Sequence, residues 1–226
     1  VPAVVGIACL VLFVARQKRI EHPLISMRIF ESSHFRISFI AQNCLFASFM
    51  GITLIVPLYV QGLCGGSAVE AGIVFIPATI LAVVVNPLAG ILSDRVGARP
   101  VVIVAAALLT VGAVSMAFMD ENMPLWVTTL MQTIRGMGVS ALIGPLNSWG
   151  MSGLPREIVM DASAFFAAVR QACASLGTAI MVLVITSLSA TAQSGAMDMS
   201  FAYQAAFGIS AVLAACVLVV VIAKVR

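Results

Sequence analysis

Apolar residues in this chain do not alternate; they run on. Seven stretches, at about 1–14, 37–60, 71–92, 101–119, 125–146, 162–188 and 202–223, are apolar along most of their length and are separated by short polar segments. A helix needs roughly 20 such residues to cross the hydrocarbon core of a bilayer, and all but the first stretch have that length. Barrel strands would be shorter and would alternate every second residue. The pattern predicts an all-α polytopic membrane protein with seven hydrophobic segments. The first stretch opens on Val1 inside the apolar run, with no initiator Met and no basic leader. It is expected to be the end of a helix begun upstream in a longer protein, and no signal peptide is visible.

Between the first two stretches lies "ARQKRIEHPLISMRIFESSHFR", a mixed segment carrying apolar Leu24, Ile25, Met27, Ile29 and Phe30. Two readings stand: a short amphipathic helix on the membrane surface after Pro23, or a solvated loop. The expected division is the end of a linking transmembrane helix at 1–15, a cytoplasmic linker at 16–36, and a six-helix transmembrane bundle at 37–226.

Composition agrees with the pattern. The 226 residues are 62% hydrophobic and 9% charged, with a mean hydropathy of +1.12, whereas soluble domains carry about 25% charged residues. Cys9, Cys44, Cys64, Cys173 and Cys216 show no paired spacing and read as small apolar packers, not disulfides or metal ligands.

The placement of charge changes more. With seven crossings, one set of helix ends holds Arg16, Lys18, Arg19, Arg28, Arg36, Arg95, Arg99, Arg156, Arg170, Lys224 and Arg226. The opposite ends hold Glu70, Asp120, Glu121 and Asp198, and no Lys or Arg. Positive charge gathers on the cytoplasmic side. The loops after segments one, three and five, and the C-terminus, are therefore expected in the cytoplasm of a cell-membrane protein. No nucleic-acid partner is implied.

Arg135 is the one basic residue left over, near the middle of 125–146. A mid-membrane Arg costs at least ~2.5 kcal/mol on insertion scales and normally faces a polar cavity or a partner. Thr128, Gln132 and Arg135 share one helical face at offsets of four and three. Arg135 reads either as a cavity residue serving substrate or proton coupling, or as a brace between helices. Gly136 and Gly138 beside it would let a neighbouring helix approach closely. Gln42 and Asn43 lie inside the second segment, as path-lining amides or as interhelical glue; Phe46 and Phe49 read as packing or lipid-facing residues. Pro77, Asn86 and Pro87 predict kinks or locally freed carbonyls in the third segment. The small residues of the sixth, from Ala164 to Ala179, suit helix packing.

"GILSDRVGARP" (90–100) is a polar island joining the third and fourth segments. Gly90 would remove a side chain where helices meet, and Gly97 would permit a tight turn. Asp94 is suited to accept from free N–H groups at a helix start. Gly90-x-x-x-Asp94-Arg95-x-Gly97-x-Arg99 resembles a signature of the major facilitator superfamily, found between the second and third helices of a six-helix half. The family pattern ends in two basic residues, and Pro100 stands here in place of the second. "PLYVQGLCGGSAVEAGIVFIPA" (57–78) with "PLAGILSDRVGARP" resembles the second half of the fourteen-helix drug:proton antiporters. "HPLISMRIFESSHFR", "IRGMGVSALIGPL" and "VRQACASLGTAI" are similar to their linker, fourth helix and fifth helix.

The resemblance implies that the chain is the C-terminal half of such an exporter, with a preceding linking helix and a missing N-terminal half as its partner. It implies that segments two and five, which carry Gln42, Asn43, Thr128, Gln132 and Arg135, line the substrate path. Gly90, Asp94, Arg95, Gly97 and Arg99 would form a gating hairpin; the plainer reading is that they only set topology. The implied activity is proton-coupled efflux of drugs or other hydrophobic or amphipathic compounds by alternating access. Alternatives are transport of one specific metabolite, or a non-transporting protein on the same fold. No enzyme and no metal or other cofactor is expected, the proton gradient being the energy source. His22 and His34 fall in one loop, no HExxH occurs, and no GxxxxGK[ST] phosphate loop is present. No Asp or Glu sits at mid-membrane in this chain, and Arg does not titrate in the working range. The proton-carrying carboxylate would therefore belong to the missing half.

Overall fold

The computed structural model describes residues 27–193 and 198–225, and every element within them is helical. The expected first segment and the linker up to residue 26 lie outside the described residues. Helix α1 spans Ser33–Leu58, its first turn capped by the Ser32 hydroxyl, which accepts from the Phe35 N–H at 3.4 Å. Pro57 cannot donate to the helical ladder, and beyond it the chain widens into a π turn at Tyr59–Leu63. Helix α2, Ala68–Ile73, opens on a reciprocal cap: Glu70 N–H donates to the Ser67 hydroxyl, and Ser67 N–H donates to the Glu70 carboxylate at 2.7 Å. Five long helices follow: α3 Ile76–Val96, α4 Ala98–Met116, α5 Leu125–Ser152, α6 Val159–Gln193 and α7 Met199–Lys224.

Two expectations about elements change. Pro77 does not kink α3; it occupies the first helical turn, where no N–H bond is lost. The seven-segment count is also inexact. Among the described residues, five helical spans are long and apolar enough to cross a membrane: Ser33–Leu63, Ala68–Val96, Ala98–Met116, Val159–Ala190 and Met199–Lys224. Helix α5 has 28 residues, about 42 Å of helix, yet its Thr, Gln and Arg side chains make it too polar to qualify. Those side chains point into protein (below), so lipid does not meet them.

The helices form two layers. In one, α6, α1, α5 and α3 lie side by side in that order; in the other, α7 and α4 pack behind them. The two helices at the ends of the row are the least covered. The spans through α3 and α6 bury 17% and 22% of their apolar stretches, against 39–44% for the others. Phe35, Phe39 and Phe165 stack where α1 and α6 begin; Phe30 meets these three edge-on, and Phe166 meets Phe35 and Phe39 edge-on. The 3-10 turn Met27–Glu31 is thus tucked under the bundle with Ile29 fully buried. Within this turn Ile29 and Phe30 pack on that aromatic base.

Candidate functional site

Helices α1 and α5 run antiparallel, and side chains fasten each to the backbone of the other. Ser38 Oγ donates to the Leu146 carbonyl at 2.7 Å, Gln42 Nε2 to the Ile143 carbonyl at 3.4 Å, and Arg135 Nη2 to the Ser48 carbonyl at 3.1 Å. Ser38, Gln42, Ser48, Thr128, Gln132 and Arg135 are all essentially inaccessible to solvent. The polar stripe of α5 therefore faces the interior, along this seam.

Arg135 is the largest fully buried side chain in the bundle. Its Nη2 also lies 3.5 Å from Ser48 Oγ, which shares a 2.7 Å hydrogen bond with Ser210 Oγ of α7. Behind it, α4 presents Gly112, where a Cβ would fall 2.6 Å from the Arg135 backbone nitrogen. Gly138 meets the backbone of Leu109 still more closely. These contacts let α4 and α5 come together backbone to backbone, and they close the space around Arg135. The guanidinium is consequently held among α1, α4, α5 and α7, with no carboxylate beside it among the described residues. Among the described residues its Nε and Nη1 have no hydrogen-bond partner, nor do Gln132 Oε1 and Gln42 Oε1. A buried cation served by one carbonyl and one hydroxyl keeps unspent hydrogen-bonding capacity.

The other expected site residues are placed differently. Asn43 is not on this seam: its Nδ2 donates to Phe39 O of its own helix at 2.8 Å. It borders a groove between α1, α6 and α7 lined by Ala47, Cys173, Gly177 and Leu213. In the hairpin, Gly97 alone joins α3 to α4, at φ +95° and ψ 155°, a conformation that favours glycine. The tight turn is as expected. Gly90 is not: a Cβ there would meet nothing within 4 Å. Elsewhere between α3 and α4 lies a cavity of about 540 Å³. That cavity is lined by Val85, Leu88, Leu92, Val101 and Val104, with Arg95 among its walls. Asp94 makes no hydrogen bond to a helix start; like Arg95 and Arg99 it is exposed.

Arg170, which falls inside the sixth apolar stretch, lies within α6, with its guanidinium carbon 4.4 Å from the centre of the Phe46 ring of α1. Ser48 and Ser210 gave no signal of their own: single serines in apolar helices, they gain meaning from the guanidinium between them. Cys44, Cys64, Cys173 and Cys216 are free thiols.

The profile described as Major Facilitator Superfamily matches residues 1–178. The chain belongs to this superfamily. Members of the major facilitator superfamily are transporters, not enzymes, and the chain is accordingly part of a multi-pass membrane protein. It is 30% identical over 217 residues to the uncharacterized MFS-type transporter YcnB of Bacillus subtilis, covering 93% of this chain and 45% of that protein. It is 30% identical over 191 residues to a multidrug resistance protein B homolog of Mycobacterium tuberculosis, covering 82% and 35%. With the riboflavin transporter RibZ of Clostridioides difficile it shares 28% over 178 residues, 77% and 39%. The chain spans less than half the length of each of these relatives.

Proposed function

We propose that this chain is the C-terminal bundle of a proton-coupled exporter of hydrophobic or amphipathic compounds, and that it works by rocking against an N-terminal half. The observation that carries this reading is the α1–α5 seam. In it a guanidinium with no ion-pair partner among the described residues lies against Ser48, about halfway along α1. Such an Arg is costly in a membrane and is retained where it acts on something charged. The energetic logic is a coupling one: a proton-carrying carboxylate in the other half would be favoured as the anion near Arg135, and as the acid when the halves separate. The sparsely covered α3 and α6 supply the surface for that half, and substrate would enter between the two.

In this reading the protein lies in the cell membrane with its C-terminus in the cytoplasm, and the proton gradient is its energy source. The multidrug-resistance relative supports a drug as cargo. The riboflavin transporter supports the second reading, transport of one metabolite. The test is accumulation of ethidium and of riboflavin in cells expressing the full-length parent, with and without an uncoupler. Ethidium efflux that stops with the gradient is expected. Efflux indifferent to the uncoupler would contradict proton coupling, and riboflavin movement without ethidium efflux would select the metabolite reading.

A further inference from the structure

The cavity between α3 and α4 is a groove with an alanine floor. Ala89 of α3, Ala105 of α4 and Ala141 of α5 line it and are buried, each contributing only a methyl group. Its rims are large and apolar. Leu88 and Leu92 of α3 and Val104 of α4 line it and remain at least half exposed among the described residues. The lining runs along α3 from Arg95 back to Val85, roughly 15 Å of helix at 1.5 Å per residue.

Arg95 is the only polar side chain lining this groove among the described residues, and it stands at one end. The apolar spans Ala68–Val96 and Ala98–Met116 meet at the Gly97 turn, which puts that end at a membrane surface, whichever side of the bilayer it is. The guanidinium is exposed, and Asp94, beside it in sequence, does not line the groove. One cation at the mouth of a long apolar trough complements an amphiphile with a single anionic end. A bilayer supplies such molecules at high concentration, and basic pockets between membrane helices recognise their acidic headgroups. The side of α3 that carries Val83 and Gly90 lies opposite Leu88 and Leu92. A lipid in the groove therefore leaves that side open to the other half of the transporter.

We propose that the α3–α4 groove is a binding site for an anionic phospholipid, one acyl chain lying on the alanine floor and the phosphate held by Arg95. The planar guanidinium offers two parallel N–H donors to phosphate oxygens, and each methylene buried between the rims adds to the affinity. This site does not depend on the transport reading or on which end of the bundle faces the cytoplasm.

The test counts retained lipid. Purified full-length parent is equilibrated in detergent with an equimolar mixture of phosphatidylglycerol and phosphatidylcholine of matched chains, washed, and analysed by mass spectrometry. Wild type is expected to retain phosphatidylglycerol in preference. Arg95→Gln is expected to lower its retention about tenfold, the loss of charged hydrogen bonds, with phosphatidylcholine little changed; Arg95→Lys is expected to retain more than Arg95→Gln. Arg99→Gln removes the same charge from the same hairpin but outside the groove, and is expected to cost less than about twofold, since an exposed charge at a distance is screened. Free glycerol phosphate is not expected to displace the lipid, because it lacks the chain that the groove holds. Equal losses in Arg95→Gln and Arg99→Gln would reduce the effect to net charge and overturn the assignment. So would equal retention of the two lipids by wild type, or displacement by free glycerol phosphate. Cross-linking of a Leu92→Cys variant to the N-terminal half would give the groove to protein and overturn it as well.

Discussion

A guanidinium with five donors and only a carbonyl and a hydroxyl to serve is the residue on which the account turns. Arg135 donates to Ser48 O and Ser48 Oγ and leaves Nε and Nη1 unpaired. Replacement by Ala removes charged hydrogen bonds worth about 1.5–3 kcal/mol each, so efflux by the full-length parent is expected to fall roughly tenfold or more. Membrane insertion, measured by the amount of protein in the bilayer fraction, is expected to persist or rise, because a mid-membrane charge has gone. Wild-type efflux in Arg135→Ala would leave Arg135 a brace. Two glycines give a paired test of packing. Gly138 faces the Leu109 backbone with no room for a side chain, whereas Gly90 faces open space. Gly138→Val is expected to lower thermal stability by several degrees in detergent. Gly90→Ala is expected to leave it unchanged or raise it slightly, since Ala is the better helix former by about 1 kcal/mol. A stable Gly90→Ala variant that no longer transports would show that Gly90 serves motion and not packing.

Among the elements, α5 shows best what the sequence could and could not disclose. Its length and the common face of Thr128, Gln132 and Arg135 follow from helical spacing, and the structure buries all three. Its status as a membrane span does not follow from apolarity, because a helix enclosed by neighbours can carry polar groups that lipid never touches. Taken alone, α5 is expected to insert poorly in a glycosylation-mapping assay, and Arg135→Leu to raise insertion by about 2.5 kcal/mol or more on the insertion scale. Efficient insertion of the unaltered helix would contradict the view that neighbours carry it. The hairpin illustrates the converse. Gly97 is legible because a tight turn demands a special φ, while what surrounds Gly90 and Asp94 depends on how whole helices pack, which local spacing does not encode. The Ser67–Glu70 cap is written in the sequence as S-x-x-E; the meeting of Arg170 with Phe46, far apart along the chain, is not.

At the scale of the whole molecule, the row α6–α1–α5–α3 ends in two sparsely covered helices, and the chain spans less than half the length of its relatives. Cysteines introduced in the full-length parent at Val83 of α3 and Leu183 of α6, both exposed here, are expected to cross-link to the N-terminal half. Labelling of both by a lipid-soluble reagent without any cross-link would place those faces against lipid. The central claim, that this bundle couples a proton gradient to cargo through Arg135, is tested most directly in proteoliposomes containing the purified full-length parent. With an imposed pH gradient, ethidium is expected to accumulate in wild-type vesicles, to stop when the gradient is collapsed, and to fall roughly tenfold or more in Arg135→Ala at equal reconstitution, the loss of a charged hydrogen bond. Accumulation that ignores the gradient, or that Arg135→Ala leaves intact, would contradict the account.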